Sequence, residues 1–152
     1  MKRGGRLRAK SKTNSIHKQP DERLAYRDSN PMDEWNEWLG FAPLVKIAAY
    51  DYRLSMPLEC NHLFTSPRRH VVPCIIMLSK INHDWFHENI AVGRMLCMVV
   101  KCRKGEADLD MWNRCYGKNV ESILDEPGCL DERYAAFRSE CIERLKQLKG
   151  AS

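Results

Sequence analysis

The sequence predicts an α+β fold that is mostly helical, with a short β-hairpin among several helices. Apolar residues recur at helical spacing through much of residues 86–149. Two shorter pieces, 58–64 and 71–78, are instead rich in β-forming residues and are separated by a polar loop. With 152 residues, of which 43% are hydrophobic, the chain is long enough for one domain with a modest core.

The segment 1–20 is strongly basic and has almost no large apolar residues. It holds seven Lys or Arg and no acid, although the whole chain carries a net charge of only +5. This composition predicts a disordered arm that binds a phosphate backbone without reading sequence, and a solubilising tail is the alternative. The residues expected to contact nucleic acid are Lys2, Arg3, Arg6, Arg8, Lys10 and Lys12. Residues 21–152 are expected to form a single domain.

The chain has no run of eighteen apolar residues and no apolar region after its basic start. We therefore expect a cytoplasmic protein, of a cell or of a phage-infected cell, with neither signal peptide nor membrane segment. None of the seven cysteines forms a C-x-x-C pair. They are interpreted as buried, reduced thiols rather than as disulfides or ligands of a structural zinc.

Helix signals begin weakly at 21–29. A short helix is then predicted with Asn30 as its cap, Pro31 as its first residue and Gly40 as its stop. Residues 42–53 fit either a helix or an extended segment.

A strand is predicted at 58–64, with His62 near its end, and the next apolar piece, 71–78, is confined to an edge or turn by Pro73. A helix starting near His83 follows, with Asn82 or Ser79 as its cap. The apolar pattern predicts that this helix continues through residue 102 to a stop at Gly105.

Shorter helical pieces are expected at 107–116 and 119–124, and an amphipathic helix at 130–148.

Four of the five histidines lie between Glu59 and Asn89. His83 and His87, four residues apart in a helix, face the same way at a separation that suits one small cation. Neutral imidazole is a common ligand of divalent transition metals. His62 arrives from a strand, and it could face the pair across a concavity and take a proton from a water molecule.

These residues resemble the HNH endonucleases, which have the ββα-metal fold. The resemblance lies in Asn61-His62, in the strand Cys74-Ile75-Ile76-Met77-Leu78-Ser79, and in Asn82-His83-Asp84-Trp85-Phe86-His87, and covers about thirty residues. It implies a ββα core at about 58–104, embedded among helices and followed by a helical extension at 105–149. It also implies a DNA endonuclease or nickase that hydrolyses phosphodiester bonds.

The resemblance assigns a role to each matched residue. His62 is the implied general base, and Asn61, His83 and His87 are the implied ligands of a catalytic Mg²⁺, Mn²⁺, Ni²⁺ or Zn²⁺. Arg68 or Arg69 would hold a phosphate.

The sequence departs from the family at several positions. Cys74 stands where the family has an asparagine that orients the loop and the base, and the structural zinc cysteines are missing. Two other readings therefore stay open. One is a catalytically impaired DNA-binding protein on the same scaffold, and the other is a helical interaction protein with incidental histidines.

Overall fold

A computed structural model describes residues 20–40, 58–65 and 67–151. It confirms a mostly helical α+β fold with one two-stranded antiparallel sheet. The helices are α1 (Arg23–Ser29), α2 (Glu34–Leu39), α3 (Lys80–Glu88), α4 (Ile90–Lys104), α5 (Leu109–Tyr116) and α6 (Ala135–Ala151), and the strands are β1 (Leu58–His62) and β2 (Ile75–Ser79). Short 3-10 helices occupy Val72–Cys74, Val120–Asp125, Pro127–Leu130 and Glu132–Tyr134. Within the described ranges no helix is long and apolar enough to cross a membrane.

The two strands form a hairpin whose register runs from Leu58 opposite Ser79 to His62 opposite Ile75. Every residue of β2 is buried, whereas β1 is mostly half-buried. The sheet has only these two strands among the described residues, so β1 keeps one edge that no described strand covers.

Helix α4 lies at the centre of the core, where it packs against α2, α3 and α6. Nine of its residues are buried, since apolar residues surround the helix rather than following one stripe. Gly93 allows α4 to approach α3 closely, because a Cβ atom there would lie 2.5 Å from Cδ2 of Phe86.

A largely buried polar cluster fastens α1 and α2 to α4. The Tyr26 hydroxyl donates to Glu34, and both Lys101 and Lys104 lie at hydrogen-bond distance from that hydroxyl. Lys104 forms an ion pair with Glu34, and Lys101 forms one with Glu106. Burial and the nearby Glu34 carboxylate raise the pKa of Tyr26, which keeps its hydroxyl protonated. We call these five residues the buried network.

One carboxylate connects α2 to the start of α3. Asp33 caps α2 by accepting from the Asn36 N–H at 2.9 Å. Its other oxygen accepts from the Ser79 N–H at 2.7 Å and from the Asn82 amide at 2.9 Å. Ser79 in turn caps α3. The helix that carries His83 and His87 is therefore anchored to a residue far upstream.

Several predicted boundaries are wrong. Helix α2 begins at Glu34 rather than at Pro31, because Asp33 rather than Asn30 caps it. Its predicted stop at Gly40, which has a left-handed φ of 61°, is confirmed.

The long helix predicted from the start of α3 to Gly105 is interrupted at Asn89, which separates α3 from α4, and not at Gly93. Helix α3 starts at Lys80, with Ser79 as its cap, so the predicted start near His83 is also late. The last helix begins at Ala135, because the preceding residues form 3-10 turns instead.

All seven cysteines are free, as predicted, and five of them are buried. The exceptions are Cys60 and Cys102, which are half-buried. The basic residues predicted to contact nucleic acid, and the ambiguous segment 42–53, lie outside the described residues.

Candidate active site

A cleft of about 740 Å³ lies beside β1. Its walls come from the start of the chain's described part, from β1 and the loop after it, and from α3. The lining residues are Asp21, Arg23, Leu24, Arg27, Leu58, Glu59, Cys60, His62, Thr65, Arg68, His83 and His87. Three predicted histidines and one predicted arginine thus line a single cavity.

His62 ends β1 and is half-buried. Its Nε2 atom lies 2.8 Å from Nδ1 of His70, and the two rings meet edge to face with centroids 4.9 Å apart. Burial, followed by the charges of Arg68 and His70, lowers the pKa of His62 from 6.5 to about 4. The imidazole is therefore neutral at neutral pH, which is the form that accepts a proton.

His83 and His87 lie one turn apart on α3, with ring centroids 4.8 Å apart. Nδ1 of His83 lies 2.6 Å from a carboxylate oxygen of Glu59 on β1. Its Nε2 and both ring nitrogens of His87 have no hydrogen-bond partner among the described residues. Partial burial, together with the neighbouring His83, lowers the pKa of His87. Both rings therefore present nitrogens that a cation could use.

Asn61 does not line the cleft. It is fully buried, and neither its amide oxygen nor its amide nitrogen has a hydrogen-bond partner among the described residues. Alternation along β1 gives Asn61 the same face as Glu59, which contacts His83 on α3. An unpaired buried amide costs about 1–3 kcal/mol, so a ligand at this atom would offset a penalty that the fold otherwise carries.

The two arginines after β1 differ in position. Arg68 is exposed and lines the cleft, whereas Arg69 is half-buried and is not among the lining residues. Arg68 forms no ion pair with any described residue, so its guanidinium is free to meet an anion in the cleft. Of the two alternatives for a phosphate contact, the geometry favours Arg68.

The loop between the strands is held without the family's asparagine. Cys74 is buried, and burial and the neighbouring Cys115 raise the pKa of its thiol to about 12. Its backbone oxygen accepts from the Leu63 N–H at 3.0 Å. Arg94 of α4 donates to the Leu63 carbonyl at 2.8 Å, and the Trp112 indole donates to the Pro73 carbonyl at 2.8 Å. Arg94 of α4 and Trp112 of α5 therefore hold this loop in place.

Three features of the cleft were not predicted from the sequence. Glu59 pairs with His83, although 24 positions separate them. His70, to which the sequence analysis gave no role, contacts His62. Helix α1 supplies one wall of the cleft, including Arg27, which forms no ion pair with a described residue. The only available signal was the position of Glu59, two residues before Asn61 on a strand, which gives both residues the same face.

A divalent ion in the cleft would need several ligands from the side chains around it. Within 20–40, 58–65 and 67–151, no three His, Cys, Asp or Glu side chains are grouped so that they could hold a metal ion. His83 and His87 offer two nitrogen ligands in the cleft. The third donor that the resemblance implies is the amide oxygen of Asn61, which has no hydrogen-bond partner among the described residues but lies in a buried side chain that does not line the cleft.

No family model, curated protein or solved structure matches this chain.

Proposed function

We propose that this protein is a metal-dependent DNA endonuclease or nickase built on a ββα-metal core formed by β1, β2 and α3. The observation that carries the proposal is the shared cleft of His62, His83, His87 and Arg68. A strand supplies the base and a helix supplies the paired imidazoles, which is the arrangement that the resemblance to HNH endonucleases implies.

His62 would act through Nδ1, because its Nε2 is engaged by His70. Nδ1 takes a proton from a water molecule as one O–H bond breaks. The water oxygen then bonds to phosphorus, and the bond from phosphorus to the departing sugar oxygen breaks. The neutral form of His62 at neutral pH supports this role.

His83, His87 and Asn61 would hold the divalent ion. Glu59 fixes the ring of His83 through Nδ1, so Nε2 is the nitrogen left for the ion, as in other carboxylate–histidine–metal arrangements. The bound ion supplies positive charge that stabilises the extra charge on the phosphate and the leaving oxygen. Arg68 would hold a non-bridging phosphate oxygen. The basic segment 1–20 would add contacts to the DNA backbone.

A second candidate is a DNA-binding protein that does not cut. The observations that favour it are Cys74, a buried thiol where the family has an asparagine, and Asn61, which is buried and does not line the cleft. It predicts salt-sensitive DNA binding that deletion of residues 1–20 weakens, and no cleavage with any metal.

Nicking of supercoiled plasmid with Mg²⁺, Mn²⁺ or Ni²⁺ tests the proposal. We expect His62→Ala to lower the nicking rate by about 10²–10⁴-fold while DNA binding is kept. Glu88→Gln, an exposed change on α3, is the matched control and should nick like the native chain. Nicking that persists in His62→Ala would show that His62 is not the base. Binding without nicking in the native chain would favour the second candidate.

A further inference from the structure

The contact between His62 and His70 decides which nitrogen of His62 is open to water. One proton occupies the 2.8 Å gap between Nε2 of His62 and Nδ1 of His70 when both rings are neutral. If His62 donates, its Nδ1 has a free lone pair. If His70 donates, a neutral His62 carries its own proton on Nδ1 and has no nitrogen left to accept one.

The surroundings of His62 favour the first arrangement. Nδ1 of His62 has no hydrogen-bond acceptor among the described residues, so no described protein group stabilises a proton on that nitrogen. Among the charged groups of the cleft, Arg68 and Arg23 act on this ring as cations, whereas the carboxylates Asp21 and Glu59 pair with Arg23 and His83. A nearby positive charge stabilises a ring nitrogen that keeps its lone pair more than a ring nitrogen that carries a proton.

His70 is itself held in place by the segment that precedes α1. The Glu22 N–H donates to the His70 carbonyl at 2.7 Å, and Asp21 pairs with His70 as an isolated parallel bridge. The Glu22 carboxylate also accepts from the Val72 N–H at 2.8 Å. The backbone on both sides of the His70 ring is thus fixed, which limits where its Nδ1 can lie.

We propose that His70 is a positioning residue that accepts the Nε2–H of His62 and so holds His62 in the tautomer whose Nδ1 is free. The inference rests on the proposed function for its catalytic meaning. His70 lies in the loop that joins β1 to β2, and from there it orients the proposed base His62.

Long-range ¹H–¹⁵N NMR of the full chain at pH 7 tests the tautomer directly. We expect His62 to be protonated at Nε2 in the native protein. His70→Asn retains an acceptor oxygen near the position of Nδ1 and should keep this tautomer. His70→Phe fills the same space without an acceptor and should give a mixture of both tautomers. A native His62 protonated at Nδ1 would overturn the proposal.

Nicking kinetics give the second readout. We expect kcat to fall by about 10-fold in His70→Phe with KM unchanged, and most of it to return in His70→Asn. Equal kcat in the native chain and in His70→Phe would overturn the positioning role. If no variant nicks, but His62 has the expected tautomers in the native chain, in His70→Asn and in His70→Phe, the hydrogen-bond assignment is supported. The proposed nuclease function is then contradicted. Thermal melting of both variants shows whether they fold.

Discussion

The buried network includes Tyr26 of α1, and the cleft that holds the histidines is lined by residues of α1, but the two clusters of ionisable side chains differ in how completely their members are paired. In the buried network each charge meets an opposite charge at hydrogen-bond distance, as in the pairs Lys101–Glu106 and Lys104–Glu34. In the cleft, Nδ1 of His62 and Nε2 of His83 have no partner among the described residues. The first arrangement stabilises a fold, whereas the second leaves atoms available for a ligand.

Breaking the buried network should have the largest effect. Glu34→Gln removes the charge that faces Lys104 in a site with almost no solvent, so we expect the free energy of unfolding to fall by about 3 kcal/mol. Glu37→Gln changes an exposed carboxylate of the same helix and should stay within about 0.5 kcal/mol. Urea unfolding of the two variants measures the difference. Equal midpoints would mean that the network does not stabilise the fold.

Asp33→Ala should come next, with a loss of about 2 kcal/mol, because it removes a helix cap and the carboxylate oxygen that accepts from the Ser79 N–H and from the Asn82 amide. Asp84→Ala removes only an exposed ion pair with Lys80 and is the control. We also expect shifted ring resonances of His83 in Asp33→Ala, since α3 loses its anchor. Unchanged resonances would show that α3 is placed by its other contacts alone.

Substitutions in the cleft should have the opposite effect from those in the buried network. They should weaken metal binding and lower the free energy of unfolding only a little. Removing either imidazole in His83→Ala or His87→Ala should weaken Ni²⁺ binding by at least about 10-fold, and Glu59→Gln should weaken it by about 10-fold. Calorimetric titration measures this, with Glu88→Gln as the control on α3. If His83→Ala binds Ni²⁺ as tightly as the native chain does, the proposed metal site is contradicted.

The last expected effect is the pH dependence that His62 adds. Its pKa is about 4 in the folded chain and near 6.5 in the unfolded chain, so the unfolded state binds more protons between these values. The contribution of His62 to stability is therefore lost as pH falls from about 6.5 towards 4, and His62→Asn should flatten this slope. Comparing urea unfolding of the two chains at pH 5 and 7 measures it. An NMR titration midpoint near 6.5 would contradict the expectation.

The local part of this architecture could be predicted from sequence. The spacing of His83 and His87 places their rings together because four residues make about one helical turn. The hairpin also follows from two β-rich pieces around a polar loop. These features depend only on neighbours along the chain.

What depends on distant contacts could not be predicted. Asn30-Pro31 is a good helix start by local rules, but Asp33 caps α2 and at the same time pairs with Ser79 and Asn82. Similarly, a continuous apolar pattern conceals the break at Asn89, whose side chain donates to the Trp85 carbonyl and ends α3. No spacing rule brings His70 to His62 or Glu59 to His83.

The bonds of Asp33 have a consequence for the order of folding. They join positions 46 and 49 residues apart, whereas the hairpin and α3 are close neighbours in sequence. Contacts of long separation form at a greater entropic cost of loop closure and slow the folding of a domain. We therefore expect the hairpin and α3 to take shape first and to be docked onto α2 in a later step. Slowing of that step by Asp33→Ala in stopped-flow refolding would place the carboxylate in the folding transition state.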